Sequence, residues 1–296
     1  MGVRLLLDTL GLGIEQAALF LGGAPSFDTF AAWIAAQAGA PDPLKLARYR
    51  AWCKGAEPPE PVLRQQRALA EAPPVLDEAD LSGWDDDGYV ILRAAITRDE
   101  AHAAEQLLWE TLGASPDDPQ SWYGSRHGGI MVPVYQHPAL EAARRSPRVH
   151  KAFAQLWGRE DLWMTVDRMS FNPPERPGYR FQGPDLHWDV SLAWPIPFAT
   201  QGILYLTDTE ADQGAFRLVP GFHRRIRVWL KELGDADPRR VDLSAEAVGI
   251  AAGAGDLVIW RWELPHGASP NRSPRPRMAQ YLNMYPADLP TNPVWR

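Results

Sequence analysis

The chain reads as an α+β protein: an antiparallel β-sandwich or barrel with flanking helices, preceded by an α-helical N-terminal extension. Three observations carry that reading. The first 75 residues look like short helices joined by Pro and Gly punctuation. Two longer helical patterns follow, near residues 98–112 and 138–157. After Leu162 the texture changes to β-branched, aromatic and alternating segments of strand length, separated by turns. The boundary therefore falls near residue 75, with 1–75 as the extension and 76–296 as the domain that carries the chemistry.

The elements follow in order. Ser26 and Asp28 are placed to cap a helix over Phe27–Gln37, ended by Gly39 and the Ala-Pro-Asp-Pro of 40–43. Leu44–Lys54 continues as a helix, Ala56–Pro61 as a loop, and Val62–Ala72 as a helix stopped by Pro73-Pro74. Gly83–Asp87 predicts a turn and Gly88–Leu92 a short apolar strand. Arg98–Leu112 predicts an amphipathic helix with Ala101, Leu107, Leu108 and Leu112 on its apolar side. Another helix is expected over Pro138–Trp157. The expected strands are Leu162–Phe171, Arg180–Phe181, Leu186–Ser191, Gly202–Thr207, Ala215–Val219, Asp256–Trp262 and Arg277–Tyr285.

Composition narrows the functional classes. At 296 residues and 45% hydrophobic the chain can bury a large core. Thirty Lys+Arg against 37 Asp+Glu leave a net charge of −7, which argues against nucleic acid or an anionic membrane as partner. The one cysteine, Cys53, excludes an internal disulfide, a zinc ribbon or a Cys-ligated cluster, so a bound metal would need His and carboxylate ligands. Asp8, Gly11, Gly13 and Glu15 interrupt the apolar start of the chain, so neither an export signal nor a membrane span is expected, and a cytoplasmic location is. Gly11-Leu-Gly13 lacks the third glycine and the preceding strand of a dinucleotide site.

The informative stretch is Leu186-His187-Trp188-Asp189-Val190. On a strand, residues two apart face the same side, so His187 and Asp189 would project together and Trp188 away. One imidazole and one carboxylate supply two legs of a 2-His-1-carboxylate iron site. Alone, such a triplet arises often by chance. The best placed third ligand is His266, which follows the turn and apolar strand of Gly255–Trp262 and opens into a Gly/Pro loop. Eleven residues on, Arg277 opens the last strand. A guanidinium on an interior strand needs an anion, and a carboxylate suits its fork.

This order, an HxD triplet, a histidine 77 residues after Asp189 and an arginine eleven further on, resembles the phytanoyl-CoA dioxygenase family of iron(II)- and 2-oxoglutarate-dependent oxygenases. Asp167–Pro174, Leu204–Asp208, Gln213–His223 and Gly255–Ile259 resemble family segments as well, and the likeness runs from about Leu81 to Pro286. Gln213 stands where Asn is usual and Phe222 where Ser is usual; neither is a ligand position.

The resemblance implies a double-stranded β-helix, or jelly roll, with iron bound by His187, Asp189 and His266. It implies that Arg277 holds the distal carboxylate of 2-oxoglutarate, with Asn172 and Tyr205 as looser cosubstrate contacts. The three ligands would leave three positions free, two for the cosubstrate and one for O2. A carboxylate at 189 favours hydroxylation over halogenation, because halogenating relatives lack it. The implied substrate is a small organic metabolite. The alternatives are an acyl-CoA or lipid substrate, and a non-catalytic jelly-roll binding protein. Homo-oligomerisation stays open.

The remaining histidines have plainer readings. His102 and His150 belong to helices, His137 starts one, and His223 hydrogen-bonds a loop. Trp122, Tyr123 and His127, in an aromatic and glycine-rich stretch, are candidate substrate contacts. The arginine groups 144/145/148 and 224/225/227 read as solvated faces.

Overall fold

The computed structural model describes residues 1–124 and 129–296. The N-terminal segment contains α1 (Gly2–Thr9), α2 (Ile14–Leu21), α3 (Phe27–Ala38), α4 (Pro43–Cys53) and α5 (Glu60–Glu71). Ser26 caps α3 by accepting from the Thr29 amide, and Asp42 caps α4 ahead of Pro43. These helices lie on the body of the protein. Arg48 donates to the carbonyls of Asp161 and Leu162, at 2.6 and 3.0 Å, and Lys151 donates to the carbonyls of Leu69 and Ala70 that end α5. Leu5 packs with Trp163, Ala199, Tyr285 and Leu289.

Residues 83–87, expected as a turn, are instead the second half of α6 (Glu78–Asp87). Asp77 and Asp80 form a reciprocal capping box at its start, and Gly88, at φ +79°, takes the left-handed conformation that ends it. Then come β1 (Tyr89–Leu92), α7 (Arg98–Leu112) and β2 (Met131–Val132). The helix expected over 138–157 is two, α8 (Pro138–Arg145) and α9 (Pro147–Trp157). Pro147 cannot continue α8, and Ser146 caps α9 while its hydroxyl donates to the Ala95 carbonyl at 2.6 Å.

The strands are β3 (Leu162–Met164), β4 (Met169–Asn172), β5 (Thr200–Tyr205), β6 (Phe216–Leu218), β7 (Val248–Gly249), β8 (Leu257–Arg261), β9 (His266–Ala268), β10 (Arg277–Tyr281) and β11 (Met284–Pro286), with α10 (Phe222–Leu233) between β6 and β7. Two expected long strands are therefore each divided, into β3 with β4 and β10 with β11. Arg180–Phe181 and Leu186–Ser191 are not strands; the latter contributes a single bridge, His187 to His266. Helix α10 was not expected. The spacing of its buried Phe222, Ile226 and Leu230 is the helical signal that the arginines among them obscure.

One antiparallel sheet runs β1-β8-β5-β10-β4-β2, and a smaller one runs β7-β6-β9. The large sheet packs on α7, α8 and α9 through a core that includes Leu108, Phe153, Phe171, Leu204 and Ile259. A second core, with Tyr205, Phe216, Trp260 and Leu218, fills the space between the sheets. The histidines of the site lie at the rim of that space. Among the described residues no helix is long and apolar enough to cross a membrane.

Asp8 ties α1 to this body. Its carboxylate accepts from the Val166 amide at 2.9 Å and from the Tyr285 hydroxyl at 2.5 Å, with Arg4 at 3.8 Å. Burial pushes its pKa up to about 6, against the lowering by Arg4 and those hydrogen bonds. A raised carboxyl pKa favours the folded state most below pH 4, and that stabilisation is lost as pH rises through about 6. From pH 4 to pH 7 the loss comes to about 2 kcal/mol. Thermal melts across this range should therefore show wild type losing more stability than Asp8→Asn; parallel curves for the two would contradict the assignment.

Candidate metal centre

His187 and His266 face each other across a two-bond backbone bridge: the amide of each donates to the carbonyl of the other, at 2.9 and 3.0 Å. That bridge sets their rings 4.9 Å apart, centre to centre. His266 opens β9 and is 3% exposed. Among the described residues, 186–191 have no strand partner on their other side, and Arg239 supports that side instead. Its guanidinium donates to the carbonyls of Trp188 and Val190, at 2.7 and 2.5 Å, on either side of Asp189. Trp188 turns inward and donates its indole N–H to the Glu263 carbonyl at 2.9 Å. The alternation expected of a strand thus survives, with Trp188 in the core and Asp189 beside His187.

The three side chains meet. Asp189 Oδ1 lies 3.4 Å from His187 Nε2, and Asp189 Oδ2 lies 3.2 Å from His266 Nε2. One ligand atom from each residue falls within a 4.8 Å group. His187 Nδ1 is 2.7 Å from the Asp185 carbonyl and His266 Nδ1 is 3.0 Å from the Leu264 carbonyl. A carbonyl only accepts, so both Nδ1 atoms carry the hydrogen and both Nε2 atoms present lone pairs to the carboxylate. Three Lewis-basic groups facing one another require a cation between them, either protons on the rings or a metal. The donor set, two imidazoles and one carboxylate, fits ferrous iron. Burial opposes ionisation of Asp189, but bonds from the His187 and His266 rings in their protonated form, and then from Gln201, hold its carboxyl far below the usual range. For His187, burial pulls the pKa down and is outweighed by the Asp189 carboxylate and the Asp185 carbonyl, which push it above the usual imidazole value.

Arg277 is fully buried on β10. Its Nε donates to the Gly214 carbonyl at 3.1 Å and its Nη1 to the Ser170 hydroxyl, while Nη2 has no partner. No carboxylate pairs with it among the described residues. A buried cation without an anion is costly. Asn172 donates to the carbonyls of Gly214 and Ser269, leaving its own Oδ1 unpartnered. Gly214 is obligatory here: at φ +62°, a Cβ on it would sit 2.3 Å from Asn172 Nδ2.

The family model of phytanoyl-CoA dioxygenase matches residues 84–279, more than half of the chain and inclusive of all these groups. The chain belongs to the phytanoyl-CoA dioxygenase family. It shares 21% identity with a putative phytanoyl-CoA dioxygenase of Dictyostelium discoideum, over 67% of this chain and 72% of that one. With an ectoine dioxygenase of Bordetella bronchiseptica it shares 24%, over 75% and 79% of the two chains. Among solved structures, the non-haem α-ketoglutarate-dependent epimerase SnoN superposes with a TM-score of 0.53 at 19% identity, covering 77% of this chain and 86% of that one. This level of likeness establishes a shared fold. The family's activity, iron- and 2-oxoglutarate-dependent dioxygenation, is accordingly the activity of this chain.

Within that family frame, several expectations from sequence are corrected. Tyr205 is fully buried, and its hydroxyl donates to the Ile250 carbonyl at 2.8 Å and accepts from the Phe216 amide at 3.0 Å. Its single O–H is spent on the fold, which leaves no donor for a cosubstrate. Trp122 packs against Trp109 and donates to the Ser115 carbonyl at 2.7 Å, so it is a core residue. Tyr123 donates to the Pro174 carbonyl and lies under Arg176, away from the walls of the metal-site cavity. His127 lies outside the described residues. Arg144, expected on a solvated face, is buried between Glu141 and the Asp167 carbonyl. His137 caps α8 as expected, whereas His223 bonds not a loop but the carbonyl of Asp85 in the last turn of α6.

Other residues of the site carried no signal in the sequence. Gln201, on β5, donates to Asp189 Oδ2 at 2.6 Å and orients the carboxylate. Phe216 and Trp260 stack beside the His266 ring, at 5.9 and 5.1 Å. Outer partners of this kind typically tune metal affinity by 10–100-fold. Gln201→Leu should therefore weaken Fe(II) or Co(II) binding by about tenfold in calorimetric titration, with an unchanged melting temperature before metal is added. Equal affinities would exclude the orienting role.

Proposed function

We propose that this chain hydroxylates an unactivated C–H bond of a small organic metabolite, using an iron centre held by His187, Asp189 and His266. Per turnover, substrate C–H, 2-oxoglutarate and O2 become substrate C–OH, succinate and CO2. The observation that carries the reading is the convergence of two Nδ1-pinned imidazoles and one carboxylate on a common point. Iron with its cosubstrate supplies the oxidising chemistry. The protein's residues do the rest: the carbonyls of Asp185 and Leu264 fix the ring tautomers, and Gln201 and Arg239 fix the Asp189 segment. Arg277, fully buried with Asn172 beside it and no carboxylate paired to it among the described residues, takes the distal carboxylate of 2-oxoglutarate. In this reading the two larger sheets are the halves of a double-stranded β-helix, and residues 1–75 are an extension to it.

The cavity at the ligands measures about 470 Å³ and mixes apolar walls, such as Trp260 and Trp262, with polar groups. That volume is in the range of small-molecule pockets. A coenzyme A thioester would also need a phosphate cradle, and none of the arginines of the groups 144/145/148 and 224/225/227 lines this cavity. Arg224 pairs with Asp86, Arg225 with Glu246, and Arg144 is buried.

Anaerobic addition of Fe(II) and 2-oxoglutarate should give the weak visible band of a chelated complex, followed by succinate on exposure to air. His187→Ala should lose both, and Arg277→Gln should weaken 2-oxoglutarate binding by at least about tenfold, the cost of one charge-assisted contact. A wild type with no band, or a His187→Ala protein with an undiminished one, would sink the proposal.

A further inference from the structure

The metal-site cavity is not walled by the sheets alone. Arg4 of α1 and Ile14 and Glu15 of α2 line it together with His187, Asp189 and Arg168. This contact is built in. Gly13, just ahead of Ile14, packs so closely on Tyr135 that a Cβ would lie 2.4 Å from the ring. Gln16 exchanges hydrogen bonds with Gln136, which also holds the Gly11 carbonyl at 2.8 Å. The first turn of α2 is thereby pinned to the body with Glu15 facing the cavity.

Glu15 meets Arg168, which sits in the short link between β3 and β4. Arg168 Nη2 donates to Glu15 Oε1 at 2.7 Å, and Nη1 pairs with Oε2. The two sides of the pair differ in burial: the Arg168 side chain is 23% exposed, whereas that of Glu15 is 59% exposed. Arg168 Nε is buried and has no partner. Asp189 is near enough for its charge to act on the guanidinium. A guanidinium takes a carboxylate best in a two-pronged bond, and Arg168 has donor capacity to spare. A partly exposed ion pair is also weak enough to exchange, at about 0–1 kcal/mol.

We propose that Arg168 is the recognition site for a carboxylate on the oxidisable substrate, and that Glu15 of the N-terminal extension occupies it until the substrate arrives. The substrate is then a compact molecule with an apolar body and an acid group. Its carboxylate displaces Glu15, and its body lies against the apolar cavity wall toward the metal. The extension acts as an internal competitor for the substrate's anionic end. This deepens the function proposed above and rests on it. The other carboxylate source, 2-oxoglutarate, is assigned to Arg277.

The test uses cyclohexanecarboxylate and its neutral analogue cyclohexanecarboxamide as probes, titrated by calorimetry into the full-length chain. Each titration is run metal-free and again with Fe(II) and 2-oxoglutarate under anaerobic conditions. Wild type should bind the acid at least about tenfold more tightly than the amide, as expected for one charge-assisted bidentate contact. Arg168→Gln should abolish that preference and Arg168→Lys should restore part of it. Glu15→Gln should tighten acid binding by about three- to fivefold, the reverse of what a merely structural pair would give. The affinity for 2-oxoglutarate, read from the visible band, should fall in Arg277→Gln and stay within about twofold in Arg168→Gln. No acid preference in wild type, a preference that survives Arg168→Gln in a folded protein, weaker acid binding in Glu15→Gln, or loss of 2-oxoglutarate affinity on changing Arg168 would each overturn the proposal. Failure of the iron reading appears separately, as absence of the visible band in wild type, while the metal-free titrations still report on Arg168.

Discussion

Two backbone hydrogen bonds between His187 and His266 are the constraint on which the site depends. They join an irregular segment to the edge of the small sheet and place two imidazoles opposite each other. Everything near the metal position is fitted to that bridge. The Asp185 and Leu264 carbonyls set the tautomers, Arg239 holds the peptide units on either side of Asp189, and Gln201 reaches from the large sheet to the carboxylate. The precision of the donor set therefore comes from both sheets and the segment between them, not from a single strand.

A second theme is unpaired capacity. Native interiors rarely leave a buried donor without a partner, because the desolvation of such a group is not repaid. Some of the exceptions among the described residues, Trp260 Nε1, Gln201 Oε1 and Arg168 Nε, belong to the walls of the metal-site cavity, and two more, Arg277 Nη2 and Asn172 Oδ1, sit side by side on paired strands. Tyr205 and Trp122, whose polar atoms are satisfied within the fold, are structural for the same reason.

The N-terminal helices change meaning when seen in the fold. As sequence they form an extension with no chemistry in it. In three dimensions α1 and α2 lie across the open side of the cavity, fixed by Asp8, Gly13 and the Gln16–Gln136 contact, and add charged groups to a wall that the family match at 84–279 does not include. A shared fold with a separate added wall allows the family chemistry to be kept while the choice of substrate varies.

The sequence by itself determined the class of fold and pointed to the three residues, His187, Asp189 and His266, that the structure brings together as a possible metal site. His187, Asp189, His266 and Arg277 could be picked out because their spacing is a local or ordered property of the chain, and helix α7 because its cap and periodicity are local too. Only tertiary structure decided the rest. Whether residues 186–191 form a strand depends on partners elsewhere in the chain, and here Arg239 substitutes for one. Whether the hydroxyl of Tyr205 is free depends on where Ile250 and Phe216 lie. That Glu15 reaches Arg168 depends on how α2 docks, through contacts separated by more than a hundred residues. Such long-range hydrogen bonds leave no periodic trace in the sequence, because either partner alone is an ordinary polar residue.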